Sequence, residues 1–244
     1  MKTLIIIPSR LSATRLPGKP LLKINGLSII SHVFKKAKEA NIGEVYVAAE
    51  DQAIIDDVNN NGGQAILTSN YHKTGTDRIY EALKKIGKQN TELIMNLQGD
   101  EPLMNVDDIR NLHNHMIKTK SEMGTLASKI NDKYTHMNQN IVKVVTKKSL
   151  ENSQFPEAIN FTRKSTNMVK NTYHHLGIYC YQQETLEKFV SLSQSPNEIK
   201  NRLEQLRALD NNIKINVSLA KESSIGIDTE KDFMAIKKIM EYKS

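Results

Sequence analysis

The chain has 244 residues, and 34 lysines and arginines against 27 aspartates and glutamates give it a formal net charge of +7. Its 39% hydrophobic residues can supply a folded core, and no apolar run approaches the roughly 20 residues that a membrane-spanning helix needs. The single cysteine excludes an intrachain disulfide framework and a cysteine-rich metal site. The opening apolar run stops at Pro8, too early for a signal peptide, so we expect a cytoplasmic globular protein without membrane insertion.

The first hundred residues alternate between short apolar runs and segments of helical periodicity. Strands are predicted at 4–7, 45–49, 65–67 and 93–97, and helices at about 29–40, 51–61 and 79–86. This alternation predicts βαβ units and a largely parallel sheet with helices on both faces. Because ligands bind such sheets beyond the carboxyl ends of the strands, the polar loops after Ile7, Leu67 and Leu97 are the candidate sites for chemistry.

The second half has a different pattern. Strands are predicted at 141–146, 158–162 and 173–181 with no helix between them, which indicates an antiparallel extension or a dimerisation arm. A last strand is predicted at 213–219. No repeat and no linker divides the chain, so we predict a single domain, 1–244, of the α/β class.

Two further helices have recognisable starts. Ser195-Pro196-Asn197-Glu198 combines a serine cap, an early proline and a capping-box glutamate, and Ile199, Leu203 and Leu206 are predicted to form the buried face of the helix that follows. Thr229 is predicted to cap a closing helix. The apolar residues predicted on one face of that helix are Phe233, Ile236, Ile239 and Met240.

The basic charge raises the question of a nucleic-acid partner. The lysine pairs, such as 35–36 and 237–238, are scattered along predicted helices and turns, which favours solvated faces. The chain has no tryptophan and only 5% aromatic residues, which is poor material for stacking bases. We therefore expect no nucleic-acid partner.

The loop after the first strand is rich in cations. Residues 8–20 place Arg10, Arg15 and Lys19 among prolines and a glycine, and guanidinium and ammonium groups are the partners that polyphosphates need. A basic surface loop is the alternative. There is no G-x-G-x-x-G motif, and the Gly-Lys pair at 18–19 lacks the upstream glycine of a Walker loop, so neither a dinucleotide fingerprint nor a P-loop is present.

Histidine and serine chemistry has little support. His174 and His175 are adjacent on a predicted strand and point to opposite faces, and His113 and His115 do not share a helix face. No G-x-S-x-G motif occurs, which argues against a serine hydrolase.

The motifs along the chain resemble those of the sugar nucleotidyltransferases, and most closely those of the 3-deoxy-manno-octulosonate cytidylyltransferases (CMP-Kdo synthetases). The first loop alone would indicate only the superfamily, and the later segments select the Kdo family. The segments that carry the resemblance are 12–21 (SATRLPGKPL), 74–78 (TGTDR), 98–102 (QGDEP), 175–179 (HLGIY), 204–207 (EQLR) and 226–229 (GIDT).

The resemblance implies a fold and a reaction. The implied fold is a three-layer Rossmann-like nucleotide-diphospho-sugar transferase fold, with a mostly parallel central sheet and a small antiparallel extension. The implied reaction transfers CMP from CTP to 3-deoxy-D-manno-octulosonate (Kdo), with Mg²⁺ as cofactor, and activates Kdo for lipopolysaccharide synthesis. A homodimer is also implied. Within the single domain, residues up to about 130 would bind CTP, 131–220 would serve sugar binding and dimerisation, and 221–244 would carry a metal-binding segment and the closing helix.

The resemblance also implies roles for individual residues. The predicted catalytic residues are Lys19, Arg10, Asp100 and Asp228. The predicted nucleotide-binding residues are Pro8, Arg10, Lys19, Thr74, Gly75, Arg78 and Asp100. The predicted sugar-binding residues are Arg15, Gln98, Arg163, His175, Tyr179, Glu204 and Gln205.

Asp100 and Asp228 are the predicted ligands of Mg²⁺. If the strand end at Asp100 and the helix entry at Asp228 converge, they offer two hard oxygen ligands, which is the donor type that Mg²⁺ takes beside phosphate oxygens and waters. A turn residue at Asp100 and a helix-entry carboxylate at Asp228 are the structural alternatives. For Arg78 and for the pair Glu204 and Arg207, an ordinary surface arginine and an exposed ion pair are the alternatives.

One segment departs from the family pattern. After Arg163 the family usually continues with a proline-containing segment near an aromatic residue, and residues 164–170 contain neither. An 8-amino analogue of Kdo is therefore an alternative substrate. The nearest alternative function is that of another superfamily member, a cytidylyltransferase for a related acid sugar of the sialic-acid type. A non-catalytic module that binds nucleotides or nucleic acid is the alternative from another functional class.

Overall fold

The computed structural model describes residues 2–12, 15–87, 90–164, 169–223 and 226–242. The strands are β1 Thr3–Ser9, β2 Lys23–Ile24, β3 Leu27–Ser28, β4 Glu44–Ala49, β5 Ala65–Leu67, β6 Leu93–Asn96, β7 Met123–Ser128, β8 Lys143–Thr146, β9 Ala158–Thr162, β10 Thr172–Gln182 and β11 Ile215–Leu219. The helices are α1 Ile29–Glu39, α2 Gln52–Asn60, α3 Gly75–Ile86, α4 Val106–Thr119, α5 Lys133–Met137, α6 Gln183–Ser191, α7 Pro196–Asn201, α8 Gln205–Asp210 and α9 Glu230–Tyr242. Within these described ranges, no helix is both long and apolar enough to cross a bilayer.

The chain divides into two compact units. We call the first the terminal unit, which consists of Lys2–Thr91, Met95–Val106 and Ser224–Ser244. We call the second the central unit, which contains Glu92–Ile94 and Asp107–Ser223. Strand β6 contributes its first two residues to the central unit and its last two to the terminal unit.

The terminal unit is built on parallel strands. The strand order is β6, β1, β4 and β5, and β4 pairs in parallel with both β1 and β5. The residues Leu4 to Ile7 of β1 are fully buried, as expected for a strand covered on both faces. Helices α1 and α2 provide the crossovers between these strands, so the predicted βαβ organisation is confirmed.

The central unit contains the antiparallel part. Strand β10 pairs antiparallel with β7 and with β8, and β9 pairs antiparallel with β8, while β11 runs parallel to β7. The predicted antiparallel extension is therefore confirmed. Strand β7 and helix α6 are elements that the apolar pattern did not predict, and both are described at Met123–Ser128 and Gln183–Ser191.

The helix predicted from Ser195 starts correctly and ends early. Ser195 and Glu198 form the expected capping box, but α7 stops at Asn201 because Arg202 adopts a left-handed backbone conformation with φ 53°. A separate helix, α8, follows. Ile199 is 61% exposed, so its predicted place on a buried face was wrong, whereas Leu203 and Leu206 are buried as predicted.

The predicted closing helix is present as α9 and belongs to the terminal unit. Its cap is confirmed, since the backbone N–H of Asp232 donates to the Thr229 hydroxyl at 3.3 Å. Ile236 is fully buried in a cluster with Ile24, Ile29 and Ile227, and Phe233 and Met240 pack against that cluster. Ile239 is 38% exposed, so it lies outside the buried face to which it was assigned.

Candidate active site

A cavity of about 380 Å³ opens in the terminal unit where β1, β5 and β6 end. Its walls come from the three loops that follow these strands and from the segment before α9, as expected for the carboxyl edge of a parallel sheet. The residues that line it are Pro8, Ser9, Arg10, Ser12, Arg15, Lys19, Pro20, His72, Lys73, Thr74, Gly75, Arg78, Gln98, Gly99, Asp100 and Asp228.

Lys19 lies between Asp100 and Asp228, the two predicted metal-binding carboxylates. Its ammonium Nζ lies 2.6 Å from Oδ2 of Asp100 and 3.7 Å from Oδ1 of Asp228. The turn that presents Lys19 starts at Gly18, whose φ of 68° is a left-handed conformation that glycine adopts without steric strain. The Lys19 side chain is only 13% exposed, so its charge is offered to this cavity rather than to bulk water.

The two acidic segments converge through a main-chain contact. The backbone N–H of Ile227 donates to the carbonyl of Asp100 at 3.0 Å, and the Ile227 side chain is fully buried. Asp228 follows directly, and its Oδ1 also lies 3.1 Å from a guanidinium nitrogen of Arg15. Residues far apart in the sequence are thus held at one cavity wall by a hydrogen bond and by apolar burial.

The donor set at this wall fits a hard divalent cation. Asp100 and Asp228 present carboxylate oxygens to one position, which an ammonium group approaches in the structure. In the part of the chain that the structure describes, no group of three or more His, Cys, Asp or Glu residues is placed to hold a metal ion without help. Two carboxylates match the coordination preference of Mg²⁺, which binds few protein ligands and completes its coordination with waters and substrate phosphate oxygens.

Gly99 is required by a close approach of backbone to backbone. A Cβ atom at Gly99 would lie 2.9 Å from the carbonyl oxygen of Pro8, closer than real Cβ contacts allow. Gly75 is similar but less tight, since a Cβ there would lie 3.3 Å from Cγ of Pro8. Both glycines let the loops after β5 and β6 pack against the end of β1.

Thr74 and Arg78 have clear structural partners at the cavity wall. The Thr74 hydroxyl accepts a hydrogen bond from the backbone of Asp77 and caps α3. Arg78 is buried and donates to the Thr68 hydroxyl at 2.6 Å, to the Ser69 carbonyl at 3.1 Å and to the Glu50 carboxylate. The surface-arginine alternative for Arg78 is therefore wrong, although its guanidinium is already engaged by the protein.

The predicted sugar-binding residues fall into two sets. Arg15 and Gln98 line the cavity of the terminal unit, whereas Arg163, His175, Tyr179, Glu204 and Gln205 belong to the central unit. Residues 165–168, in the segment that departs from the family pattern, lie outside the described residues.

His175 lies in a polar and aromatic group of the central unit with Thr125, Phe161 and Tyr179. Nε2 of His175 lies 3.0 Å from the Thr125 hydroxyl, and its ring centroid lies 5.5 Å from that of Tyr179. Burial lowers the pKa of His175 to about 3, with smaller contributions from His174 and Arg163. Burial also raises the pKa of Tyr179 well above its usual range, and the charge of Glu204 adds to this effect.

Arg163 and Arg207 each have identifiable hydrogen-bond partners within the central unit. A guanidinium nitrogen of Arg163 donates to the Asn140 carbonyl at 3.0 Å. Arg207 is buried and binds both carboxylate oxygens of Glu198, at 2.7 and 2.8 Å, while its distance to Glu204 is 3.9 Å. The alternative of an exposed Glu204–Arg207 ion pair is therefore wrong.

His72 and Lys73 line the cavity and were not predicted as site residues. They lie in the polar loop after β5, directly before the TGTDR segment. That position was the available signal, because the loop had been identified as one that leaves the ligand-binding edge of the sheet.

A family model described as "Cytidylyltransferase" matches residues 4–215. The 3-deoxy-manno-octulosonate cytidylyltransferase of Rhodopseudomonas palustris (strain BisB18) is 39% identical over 241 residues, covering 98% of each chain. The protein of the same description from Thermodesulfovibrio yellowstonii is 41% identical over 251 residues, again covering 98% of each chain. The chain belongs to the cytidylyltransferase family and, within it, to the 3-deoxy-manno-octulosonate cytidylyltransferases.

Solved structures agree with this assignment. A CMP:2-keto-3-deoxy-manno-octonic acid synthetase complexed with CTP has a TM-score of 0.90 and 32% identity, and all of both chains is covered. A UDP-glucose pyrophosphorylase with a TM-score of 0.74 is only 13% identical and supports the fold alone. The predicted family and the Rossmann-like α/β fold class with its small antiparallel part are confirmed.

Proposed function

We propose that the protein transfers CMP from CTP to Kdo and releases pyrophosphate. The observation that carries the proposal is the position of Lys19 between Asp100 and Asp228 in a cavity that also collects Arg10 and Arg15. The relatives that match over the full chain are cytidylyltransferases for this sugar acid, and one solved structure of such a synthetase contains CTP.

In the proposed reaction the anomeric hydroxyl of Kdo attacks the α-phosphorus of CTP in line. The new bond joins that oxygen to phosphorus while the hydroxyl proton passes to solvent water. The bond to the bridging oxygen breaks, and pyrophosphate leaves with its electron pair. Lys19 and Arg10 neutralise charge on the phosphate oxygens, since phosphoryl transfer is catalysed mainly by positioning and electrostatics. Asp100 and Asp228 would hold Mg²⁺, which supplies Lewis-acid polarisation of the phosphates when bound.

The remaining roles are also proposals. Arg15 and Gln98 would contact the acid sugar from the cavity wall, and Arg163, His175, Tyr179, Glu204 and Gln205 keep their proposed sugar-side role. Pro8, Thr74, Gly75 and Arg78 keep their proposed nucleotide-side role. We further propose a cytoplasmic homodimer that feeds lipopolysaccharide synthesis, and a single functional domain with a CTP-binding portion up to about residue 130.

Release of pyrophosphate from CTP, measured with Kdo, 8-amino-Kdo and sialic acid as acceptors, tests the function. We expect the highest kcat/KM with Kdo, and a higher value with either other sugar would replace Kdo by that sugar. Lys19→Met is expected to lower kcat by about 100-fold. Lys36→Met is the matched control, because Lys36 lies on α1 and pairs with Glu39 at 3.0 Å. Absence of turnover with all three sugars would overturn the proposal.

A further inference from the structure

His72 lines the cavity but has no part in the proposed reaction. Its side chain is 13% exposed, and it lies in the loop between β5 and α3, two residues before the cap at Thr74. A histidine in such a place is either an anchor for the loop or a group that binds the ligand.

Glu81 fixes the orientation and the tautomer of His72. Nε2 of His72 is hydrogen-bonded to the carboxylate of Glu81, which also accepts the backbone N–H of Ser69 at 3.0 Å and pairs with Lys85 at 2.8 Å. Burial opposes ionisation of Glu81, but these three partners outweigh it and lower its pKa to about 2. An ionised carboxylate only accepts hydrogen bonds, so Nε2 of His72 carries the hydrogen that it donates.

The other ring nitrogen is then the atom available for recognition. Among the described residues, Nδ1 of His72 has no hydrogen-bond partner in the structure. With hydrogen on Nε2, the neutral ring has an acceptor at Nδ1. An acceptor pairs with an amino group, as in cytosine, and does not pair with the carbonyl that uracil carries at the same position.

The packing of its loop against Pro8 is the observation that favours a nucleoside-side position for His72. The cations of the first loop and both carboxylates mark the phosphate end around Lys19. The loop that carries His72 instead packs against the apolar ring of Pro8, since a Cβ at Gly75 would lie 3.3 Å from Cγ of Pro8. The apolar ring of Pro8 suits a base better than a triphosphate, while Lys73 of the same loop adds a cation to this wall.

We propose that His72 is a specificity-determining residue that accepts a hydrogen bond from the amino group of the cytosine base, and that Glu81 is its positioning residue. The inference rests on the proposed function, because it assumes a cytidine nucleotide in this cavity. In this proposal, the selection of CTP over UTP depends on Nδ1 of His72. The carboxylate of Glu81 makes Nδ1 an acceptor by binding the hydrogen on Nε2.

Two substitutions separate recognition from loop anchoring. His72→Gln keeps an N–H donor where Nε2 meets Glu81 but removes the acceptor at the position of Nδ1. His72→Asn keeps an acceptor near the position of Nδ1 but loses the contact with Glu81. Lys84→Met is the control, because Lys84 lies on the same helix in an exposed position over the ring of Tyr80 and does not line the cavity.

The experiment measures kcat/KM for CTP and for UTP with Kdo as acceptor, and the binding of each nucleotide alone by calorimetry. We expect the preference for CTP to fall by about tenfold in His72→Gln, through KM, with the UTP values unchanged. We expect Glu81→Gln to lose part of the preference, His72→Asn to keep more of it than His72→Gln, and Lys84→Met to keep all of it.

An unchanged preference in His72→Gln, or a wild-type protein that does not distinguish CTP from UTP, would overturn the inference. If His72→Asn lost the preference for CTP while His72→Gln kept the wild-type preference, His72 would be a loop anchor and not a specificity-determining residue. Failure of the wild-type protein to release pyrophosphate would instead overturn the proposed function, so the two failures are distinguishable.

Discussion

The cavity of the terminal unit and the buried group around His175 in the central unit differ in how their charged side chains are solvated and paired. In the cavity, Lys19 faces two carboxylates, and one of them, Asp228, is half exposed. In the central unit, Lys143 is fully buried and donates to the carbonyls of Asn138 and Arg163 at 2.6 and 3.3 Å. Burial, helped by the charge of Arg163, lowers the pKa of Lys143.

The difference indicates two kinds of surface. Ion pairs that remain partly solvated can exchange partners when an anion arrives, because the lost contact is replaced by another of the same kind. Buried neutral rings and main-chain carbonyls cannot do so, and they offer a fixed arrangement of donors and acceptors. In the proposed function, the polyphosphate would meet the first environment and the sugar acid the second. Four measurements test this difference.

Asp100→Asn tests the cavity most strongly. Removing the carboxylate leaves Lys19 without its 2.6 Å partner and deprives the proposed Mg²⁺ of a ligand. We expect kcat to fall by about 1,000-fold, and chelation by EDTA to abolish wild-type turnover until Mg²⁺ is restored. Asp107→Asn is the control, an exposed carboxylate outside the cavity that pairs with Lys221 at 2.7 Å. A variant at Asp100 within a few-fold of wild type would remove the assigned role.

Arg207→Met tests the fixed character of the central unit. Arg207 is buried, binds both oxygens of Glu198 and lies over the ring of Phe189 at 4.7 Å. Leaving Glu198 buried without this partner is expected to lower the free energy of unfolding by about 3 kcal/mol, measured by urea denaturation. The exposed Arg110, which pairs with Asp107 at 3.2 Å, provides the control Arg110→Met. Equal stability of the two variants would contradict the prediction.

Gly99→Ala tests the close packing under the cavity. The new methyl group would lie 2.9 Å from the Pro8 carbonyl, so the backbone must shift. We expect a loss of about 2 kcal/mol of stability, with reduced turnover because Gln98 and Asp100 move with it. Gly226→Ala is the comparison, since its nearest neighbour would be 3.7 Å away on the flexible side chain of Glu101. The idea fails if both alanine variants melt at the same temperature.

His175→Gln tests the suppression of charge in the central unit by pH. The pKa of His175 in the folded chain, about 3, lies below the ordinary histidine pKa of 6.5, so between these values the unfolded chain binds a proton that the folded chain does not. His175 therefore stabilises the fold fully above pH 6.5, and this contribution is lost as the pH falls toward 3. We expect the wild-type stability to fall more steeply than that of the variant, by about 1.4 kcal/mol per pH unit near pH 5.

The quantity to measure is the difference in stability between the wild type and His175→Gln, by thermal melting from pH 4.5 to 7.5. Burial also lowers the pKa of His113, His115 and His174, so the wild-type slope alone contains several groups. Parallel curves for the wild type and the variant would show that His175 is not kept neutral by the fold.

Much of the fold could be predicted because local and tertiary preferences agree. Continuous apolar strands such as β1 and the caps at Thr74, Ser195 and Thr229 act through nearest neighbours, and the sequence shows them directly. Strand β7 was missed because its sequence, MGTLAS, is not strongly apolar and is buried by its neighbours rather than by its own composition.

The end of α7 shows a second reason why the sequence alone could not predict every element. Nothing in the sequence marks Arg202 as a left-handed residue, since neither glycine nor proline is present there. The break allows Arg207 to return to Glu198, so a tertiary ion pair decides where the helix ends.

The cavity shows the same limit for function. Motif order predicted that Lys19, Asp100 and Asp228 would act together, and the structure brings them to one wall. Motifs did not predict His72, because its importance depends on Glu81, a residue one helix turn beyond the recognised segment. Sequence patterns mark the residues that meet the ligand more readily than the pairs that orient them.

The hydrogen bond from Ile227 to the Asp100 carbonyl has a practical consequence. Its single amide proton exchanges with deuterated water only when the two acidic segments separate, whatever the rest of the chain is doing. The exchange rate at that amide therefore measures, without any substrate, how often the segments that carry Asp100 and Asp228 separate.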